Sequence, residues 1–466
     1  MIVPDTKWQP DLSTETRSKY KALADAIREG IVSGQLPTGS KLPPVRELAY
    51  RIGVTPGTVA RAYSLVTDEG RLEAVVGRGT FVAGTQRTKQ VQDIPLINDV
   101  DDSTSDFRSS RVPDVGQGRL IDDAMMQVAT SHRRRHINYP TDQTDAETRE
   151  ALVSWLDGID LGPLSSDDIT LANGAQNACL LTLMAVLSGP APVILCEELA
   201  YPGVRHAARL LRAKVIGVAM DDNGIIPEAL EHAYRTHGGQ VLLTVADVHS
   251  PTTISTPTAR KQAIAAVARK LNLTIIEDDC YGTGQSGAPS YRAILPKQSY
   301  YISSLTKSVS GALRFGFAVA PQGEGAALRY VGQSSHYGVS QPITDICTKL
   351  LTSGTAAKIR ADVAAVIEAR VRHTVNILGR WDIKWRVDAP FVWLTMPQGW
   401  RASSFVATCE AQGILIKAAD EFALPDGRAP NAVRLAIGTC VSETRFCTAL
   451  DQINNLLAQP SGRIDN

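Results

Sequence analysis

Lys307 stands in SSLTKSVSGALRFGF, directly after an apolar run that reads as a strand. A lysine whose pKa is lowered by burial is a nucleophile that forms an imine with a carbonyl compound. Ser304 and Thr306 lie three and one residues before it, and Arg314 lies seven after. Hydroxyls and a guanidinium around an amine suit a phosphate dianion. Upstream, Gly174, Ala175 and Gln176 in LANGAQ open a helix. The free N–H groups and dipole of a helix start make a second half of an anion cradle. Asp278 ends the run LTIIEDD, at the strand end where open α/β sheets place ligands. A carboxylate there can keep a pyridine nitrogen protonated, and Tyr281, three residues on, can donate to a phenolate oxygen. Singly, each residue has an ordinary explanation as a surface lysine, a helix cap or a turn aspartate. Their joint order describes a site for pyridoxal 5′-phosphate, whose ring draws electrons from a lysine-linked imine.

A second group lies near the N-terminus. Thr55-Pro56 supplies a capping hydroxyl and a preset φ for the helix GTVARAYSLVTDE. The start of that helix is the part of a helix-turn-helix that enters the major groove. Arg61 is a candidate for a base edge or a phosphate, Thr58 for a phosphate, and Arg46 opens the preceding helix VRELAYRI. Arg78 and Gly79 sit at the tip of a predicted hairpin in LEAVVGRGTFV, where the arginine can reach the minor groove or the backbone. The plain alternative is that these arginines are solvated. Residues 1–84 carry 11 Lys+Arg against 9 Asp+Glu, so the net charge of +2 alone decides nothing.

The elements that must hold these residues are also readable. Helical periodicity in RSKYKALADAIREGIVSG, two further short helices and a hairpin give residues 1–84 a winged helix-turn-helix order, mostly α. Residues 85–115 are polar and aperiodic and read as a flexible linker. From 116 to 466 strand-like runs (193–197, 214–220, 241–249, 273–279, 299–305, 315–320) alternate with helical stretches at 203–213 and 259–271. Continuous apolar runs of this kind suit a mostly parallel sheet covered on both faces, a large α/β domain. From about 350 a long amphipathic helix, short strands and a closing helix predict a smaller α+β C-terminal subdomain.

Composition sets the outer limits. The chain has 466 residues, with 48 Lys+Arg balancing 48 Asp+Glu, so any nucleic-acid contact must come from a local patch. No apolar run approaches the roughly 20 residues of a membrane span, and the first residues lack the pattern of a signal peptide. The seven cysteines are scattered without a CxxC pair, as expected of thiols in a reducing compartment, and the eight histidines show no metal spacing. His132-Arg133-Arg134-Arg135-His136 reads as a solvated helix end.

The segment LPTGSKLPPVRELAYRIGVTPGTVARAYSLVTDEGRLEAVVGRGTFV resembles the GntR-type winged helix over nearly the whole N-terminal unit. Pro56-Gly57 stands where that family usually carries a polar or basic pair, which removes two candidate DNA contacts. Residues 116–460 resemble the fold-type I aminotransferases, through EDDCYG at an acidic strand end and SSLTKSVSGALRFGF around the lysine. By that resemblance Lys307 is the aldimine lysine, Asp278 the partner of the pyridine nitrogen and Tyr281 the donor to the ring oxygen. Tyr201, in EELAYPG, would stack on the ring. Gly174, Ala175, Gln176, Ser304, Thr306 and Arg314 would hold the phosphate. Tyr139, in NYPTDQT, would reach the phosphate of the partner subunit. Arg434, in VRLAIG, would clamp an effector carboxylate, an ordinary strand-edge ion pair being its alternative. The family's Asn-Pro-Thr-Gly appears as Ser250-Pro251-Thr252-Thr253, which puts Ser250 where an asparagine bonds the ring oxygen. Asp388-Ala389 replaces a Gly-Gly pair, and the glycine usual after Tyr139 is absent.

A winged helix joined by a linker to an aminotransferase-like domain resembles the MocR-type transcriptional regulators over the full length. The resemblance implies a cytoplasmic bacterial regulator of double-stranded DNA. It also implies a homodimer, head-to-tail, with the wing domain of one chain on the large domain of the other. The expected signal is a small amino acid or amine that exchanges with Lys307 on the cofactor. Two rivals stand beside it. One is a working aminotransferase with an incidental wing domain. The other is a DNA-binding dimer whose large domain no longer takes the cofactor, motivated by Ser250 and the missing glycines.

Overall fold

The computed structural model describes residues 8–10, 19–37, 39–68, 71–75, 79–82, 104–131, 136–281, 287–424, 427 and 429–459. The chain divides into two compact units, Met1–Pro95 and Leu96–Asn466. No described helix is long and apolar enough to cross a membrane.

In the first unit, helices Lys19–Val32, Val45–Arg51 and Pro56–Asp68 precede the strands Leu72–Val75 and Gly79–Val82, which pair antiparallel. The third helix starts as its sequence dictates. The Thr55 hydroxyl accepts the Thr58 N–H at 3.3 Å, satisfying a donor that the first turn leaves orphaned. Val59, Ala62, Tyr63 and Val66 form its buried face against Leu23, Ile27 and Leu48. The Tyr63 hydroxyl is satisfied in this core by donating to the Pro43 carbonyl at 2.9 Å.

The second unit is organised by a seven-stranded sheet. Its order is Ile169–Ala172, Gly316–Val319, Ser299–Ser304, Thr274–Asp278, Val241–Thr244, Val193–Glu197 and Lys214–Val218. Gly316–Val319 runs antiparallel to both neighbours, and the other neighbouring pairs are parallel. Six of these strands coincide with apolar runs in the sequence. The seventh, Ile169–Ala172, is four residues long and runs straight into the Asn173-Gly174 turn, so it has no pattern of its own. The strand in VLLTVADVH stops at Thr244 because the next N–H, of Val245, donates to the buried Glu197 carboxylate at 3.1 Å.

The long helix Thr355–Leu378 leads to a four-stranded antiparallel sheet, ordered Ile383–Lys384, Phe391–Thr395, Ala432–Ala436 and Lys417–Ala418. Ile359, Val363, Ile367 and Val371 of that helix share one continuous core with Leu171 and Phe317 of the large sheet and Val392 and Leu435 of the small one. The C-terminal subdomain is therefore fused to the large sheet through packing.

Residues 104–115, placed by composition in a linker, are built into this unit. Ser105–Asp106 pairs in parallel with Ile414–Leu415. Phe107 is fully buried, its ring centroid 5.8 Å from that of Phe446. One aromatic side chain anchors a polar stretch, because Asp106 is satisfied locally by Arg108, whose Nε and Nη2 donate at 3.0 Å. Of the basic run after Ser131, residues 132–135 lie outside the described residues. His136 is held by the buried Asp345 at 2.8 Å.

Candidate cofactor and effector site

Lys307 follows the strand Ser299–Ser304 by a short turn, at the carboxyl edge where the neighbouring strand delivers Asp278. Burial lowers the pKa of its amine, and the guanidinium groups of Arg434, Arg111 and Arg314 push the same way. Its Nζ donates to the carbonyl of Ser110. A lysine so placed is biased toward the neutral, nucleophilic form.

The anion cradle is made by close backbone approach. Gly174 has φ +85°, and a Cβ there would lie 2.6 Å from Arg314 Nη2. The strand bearing Gly316 crosses the same turn so closely that a Cβ on Gly316 would lie 2.5 Å from the Gly174 carbonyl carbon. Arg314 donates to the Asn173 carbonyl at 3.2 Å. The helix Ala175–Val186 starts with no side-chain cap, so its first N–H groups are available to an anion. Only the side chain of Gln176 is committed elsewhere, its amide nitrogen donating to the Gly203 carbonyl at 2.9 Å, which leaves its backbone N–H in the first turn. Ser304 is buried, and its hydroxyl accepts the Thr306 N–H at 3.3 Å.

Three buried side-chain polar atoms at this site have no hydrogen-bond partner among the described residues: Asp278 Oδ1, Thr306 Oγ1 and Arg434 Nε. Orphans of this kind are costly and scarce in folded proteins. An acceptor–donor–donor set of this type fits a ligand with a cationic ring nitrogen, a phosphate and a carboxylate. The residues present therefore fit pyridoxal 5′-phosphate with an amino-acid ligand. The Asp278 carboxyl is pushed up to about 7, by burial first and then by Asp279 and Glu197. A cationic partner would reverse that shift.

A pH signature follows. Folded Asp278 keeps its proton to about pH 7, whereas an unfolded aspartate ionises near pH 4. Between those values the folded chain holds more protons, so this group makes stability fall as pH rises from about 4 to about 7. In cofactor-free protein, Asp278→Asn removes that loss. Its melting temperature should exceed the wild type's by several degrees at pH 8 and match it near pH 4. Equal offsets at the two pH values would show an ordinary carboxyl.

Tyr281 is half-buried with its ring 5.5 Å from that of Phe391, and burial drives its phenol pKa well up, so the hydroxyl stays a donor. Tyr201 precedes the helix Gly203–Leu210, and burial pushes its phenol up to about 12. Arg434 lies in the strand Ala432–Ala436 and is buried between Phe422 and Phe391, at 4.7 and 5.5 Å from their ring centroids. Its Nη1 donates to Ser250 Oγ at 3.0 Å and its Nη2 to the Arg108 carbonyl. Ser250, expected at the ring oxygen, accepts from Arg434 here, a bond that leaves its own hydroxyl proton uncommitted. Among the described residues Arg434 has no carboxylate partner, contrary to its ion-pair alternative. Tyr139 stands on the surface, 75% exposed, with its ring 5.3 Å from Tyr337.

Sequence reasoning missed Arg108, Ser110 and Arg111, which lie over the site through the strap 104–115. The one signal available was Phe107, a lone aromatic in a polar run.

In the N-terminal unit, Arg46 and Arg61 are both exposed, and the Arg61 guanidinium lies 4.2 Å from the Tyr20 ring centroid. The Thr58 hydroxyl is shared with that of Thr55 at 2.9 Å. Gly79 opens the second strand with φ +112°, where a Cβ would lie 2.9 Å from Lys41 Cε. Arg78 lies outside the described residues.

Comparison with known proteins bears on both units. The gntR family of bacterial regulatory proteins matches residues 19–82, and aminotransferase class I and II matches residues 109–453. The uncharacterised HTH-type transcriptional regulator YdeF of Bacillus subtilis (strain 168) is 25% identical over 448 residues, 94% of this chain and 93% of that one. The HTH-type pyridoxine biosynthesis transcriptional regulator PdxR of Corynebacterium glutamicum is 24% identical over 313 residues, 64% of this chain and 65% of that one. An archaeal alanine:glyoxylate aminotransferase superposes with a TM-score of 0.67 at 21% identity, over 76% of this chain and 90% of that one. LysN, the alpha-aminoadipate aminotransferase of Thermus thermophilus, does so with 0.66 at 18% identity, over 76% and 92%. At those identities the solved structures show the fold. The chain belongs to the class I and II aminotransferase family and carries a gntR-family segment ahead of that domain, the domain order of the MocR-type regulators.

Proposed function

We propose that the N-terminal unit binds double-stranded DNA and that the large unit adjusts this binding when a small amino acid or amine reaches its pyridoxal 5′-phosphate site. The observation that carries this reading is the strap. Lys307 and Arg434, the two cations a bound amino compound would engage, both donate to carbonyls of residues 104–115. That segment is also where the chain enters the large unit from the DNA-binding one.

Bound pyridoxal 5′-phosphate supplies an aldehyde that accepts amines and a ring that draws electrons. Gly174, Ala175, Gln176, Ser304, Thr306 and Arg314 would hold its phosphate. Asp278 would keep a proton on its ring nitrogen, Tyr281 would donate to its ring oxygen, and Tyr201 would flank the ring. Ser250 acts one step back, by orienting Arg434. Once deprotonated, which burial favours, the Lys307 amine offers its lone pair, and any change in its bonding alters its hold on Ser110. A ligand carboxylate competes with the Arg108 carbonyl for Arg434. Both changes act on the strap, and the ligand shifts the equilibrium only by its different affinity for the two arrangements.

On the DNA side, Arg61 and Arg46 offer exposed cations on adjacent helices. The capped helix start leaves Thr58 beside Arg61 for backbone contacts. The exposure of Tyr139 supports a homodimer in which this residue completes the partner's site. A DNA-binding regulator of this type acts in the bacterial cytoplasm.

The test is fluorescence anisotropy of the full-length protein on its own upstream DNA at about 100 mM salt, with the cofactor and a panel of amino acids and amines. Couplings of this kind are typically about 5-fold or more. A shift of that size with one ligand class is expected. Absence of binding in every condition would overturn the reading.

A further inference from the structure

A cavity of about 670 Å³ opens beside the lysine, bounded by Lys307, Ser308 and Tyr281 on one side and by the helix Thr355–Leu378 on the other. The phosphate cradle does not line it. Its helix wall is made of Ala357, Ala361, Ala364 and Ala365, whose small side chains leave the space open. These residues share one face with Arg360 by the three- and four-residue spacing of a helix.

Arg360 is the unusual member of that face. Its guanidinium carbon lies over the Trp155 ring, 3.9 Å from the centroid. Among the described residues it makes no ion pair and no hydrogen bond. Three other arginines of the large unit, buried or half-buried, each have an acidic partner. Arg292 has Asp168 and three carbonyls. Arg370 has Glu443 and three carbonyls. Arg386 has Asp388 and Asp247. The acids on the cavity wall are taken or peripheral: Asp388 is bound by Arg386, Glu368 by Arg372, and Asp157 is exposed at the rim. Burial pulls the pKa of Arg360 down, the sign of a cation short of counter-charge.

We propose that this cavity is the subsite for the effector's side chain and that Arg360 binds a distal anionic group there. The effector is then an acidic amino compound: an amine for the Lys307 site, one carboxylate for Arg434 and a second anion for Arg360. A fork of donors, held in place over the Trp155 ring, matches a carboxylate or a phosphate in two-point contact. This inference rests on the proposed function, since it names the class of ligand read by the same site.

The probes are L-2-aminoadipate, which carries both anions, and L-norleucine, which has a similar chain and no distal charge. Half-saturation is read from the visible spectrum of the cofactor-loaded full-length protein. The wild type should bind 2-aminoadipate at least ten-fold tighter than norleucine. In Arg360→Ala and the bulkier Arg360→Gln that ratio should collapse toward one, while Arg360→Lys keeps part of it. An unchanged ratio in the variants, or no preference in the wild type, overturns the inference. A second arm uses cofactor-free protein and glutarate, a dicarboxylate without an amine, followed by calorimetry. Binding to the wild type and none to Arg360→Gln is expected. Equal binding to both overturns the inference. A wild type that never takes up the cofactor would fail the proposed function, whereas the glutarate arm still judges Arg360 on its own.

Discussion

Lys307→Ala is expected to abolish the visible absorbance that pyridoxal 5′-phosphate gives on the wild-type protein and, with it, all dependence of DNA affinity on added amines. The amine of Lys307 is kept toward its neutral form by burial and by Arg434, Arg111 and Arg314, and no other described lysine stands beside Asp278 and Tyr281. The variant removes the lone pair that, among the described residues, is placed to condense with the aldehyde and, at the same time, the bond to the Ser110 carbonyl. Spectra and DNA titrations on one preparation read both effects. A variant that kept its absorbance, or whose DNA affinity still moved with the amine, would show that the signal enters elsewhere.

Phe107→Ala should be the most damaging change in the strap. Truncating a fully buried phenylalanine typically costs about 3–5 kcal/mol, from lost transfer energy and the cavity left behind. Phe107 packs on Phe446, its N–H donates to the Leu415 carbonyl at 2.8 Å, and its own carbonyl accepts from Ala436 at 2.9 Å. Thermal or urea unfolding of the large unit should register the loss. The second readout is coupling. With the strap unhooked, DNA affinity should no longer respond to the amine, although cofactor absorbance persists in the folded fraction. Phe107→Leu keeps most of the buried volume and should retain both stability and response. If Phe107→Ala protein that is still folded responded like the wild type, the strap would be a structural tie without a signalling part.

The two changes test different links. The first removes the chemistry at the site, and the second leaves it in place and cuts the element that joins site to linker. An aminotransferase with an incidental wing would show the first effect in its turnover and neither effect on DNA.

Much of this molecule was legible in one dimension because the relevant physics is local. Thr55 and Pro56 start a helix wherever they stand before such a pattern, and apolar runs such as VILCE and SYYISS mark strands covered on both faces. The order of phosphate turn, acidic strand end, lysine and arginine carried the chemistry, since each of those motifs sits within a few residues of its own strand. The contacts that turn the site into a sensor span far more chain. Lys307 meets Ser110 across 197 residues, Arg434 meets Ser250 across 184, and Arg434 meets Arg108 across 326. Periodicity and composition report whether a residue is buried, and they carry no information on which distant carbonyl it will face. That choice waits until the large sheet, the helix Thr355–Leu378 and the small sheet close around one core. The same closure converts a polar stretch that looked like linker into the strap over the lysine, and it leaves Arg360 on a cavity wall without an ion-pair partner among the described residues.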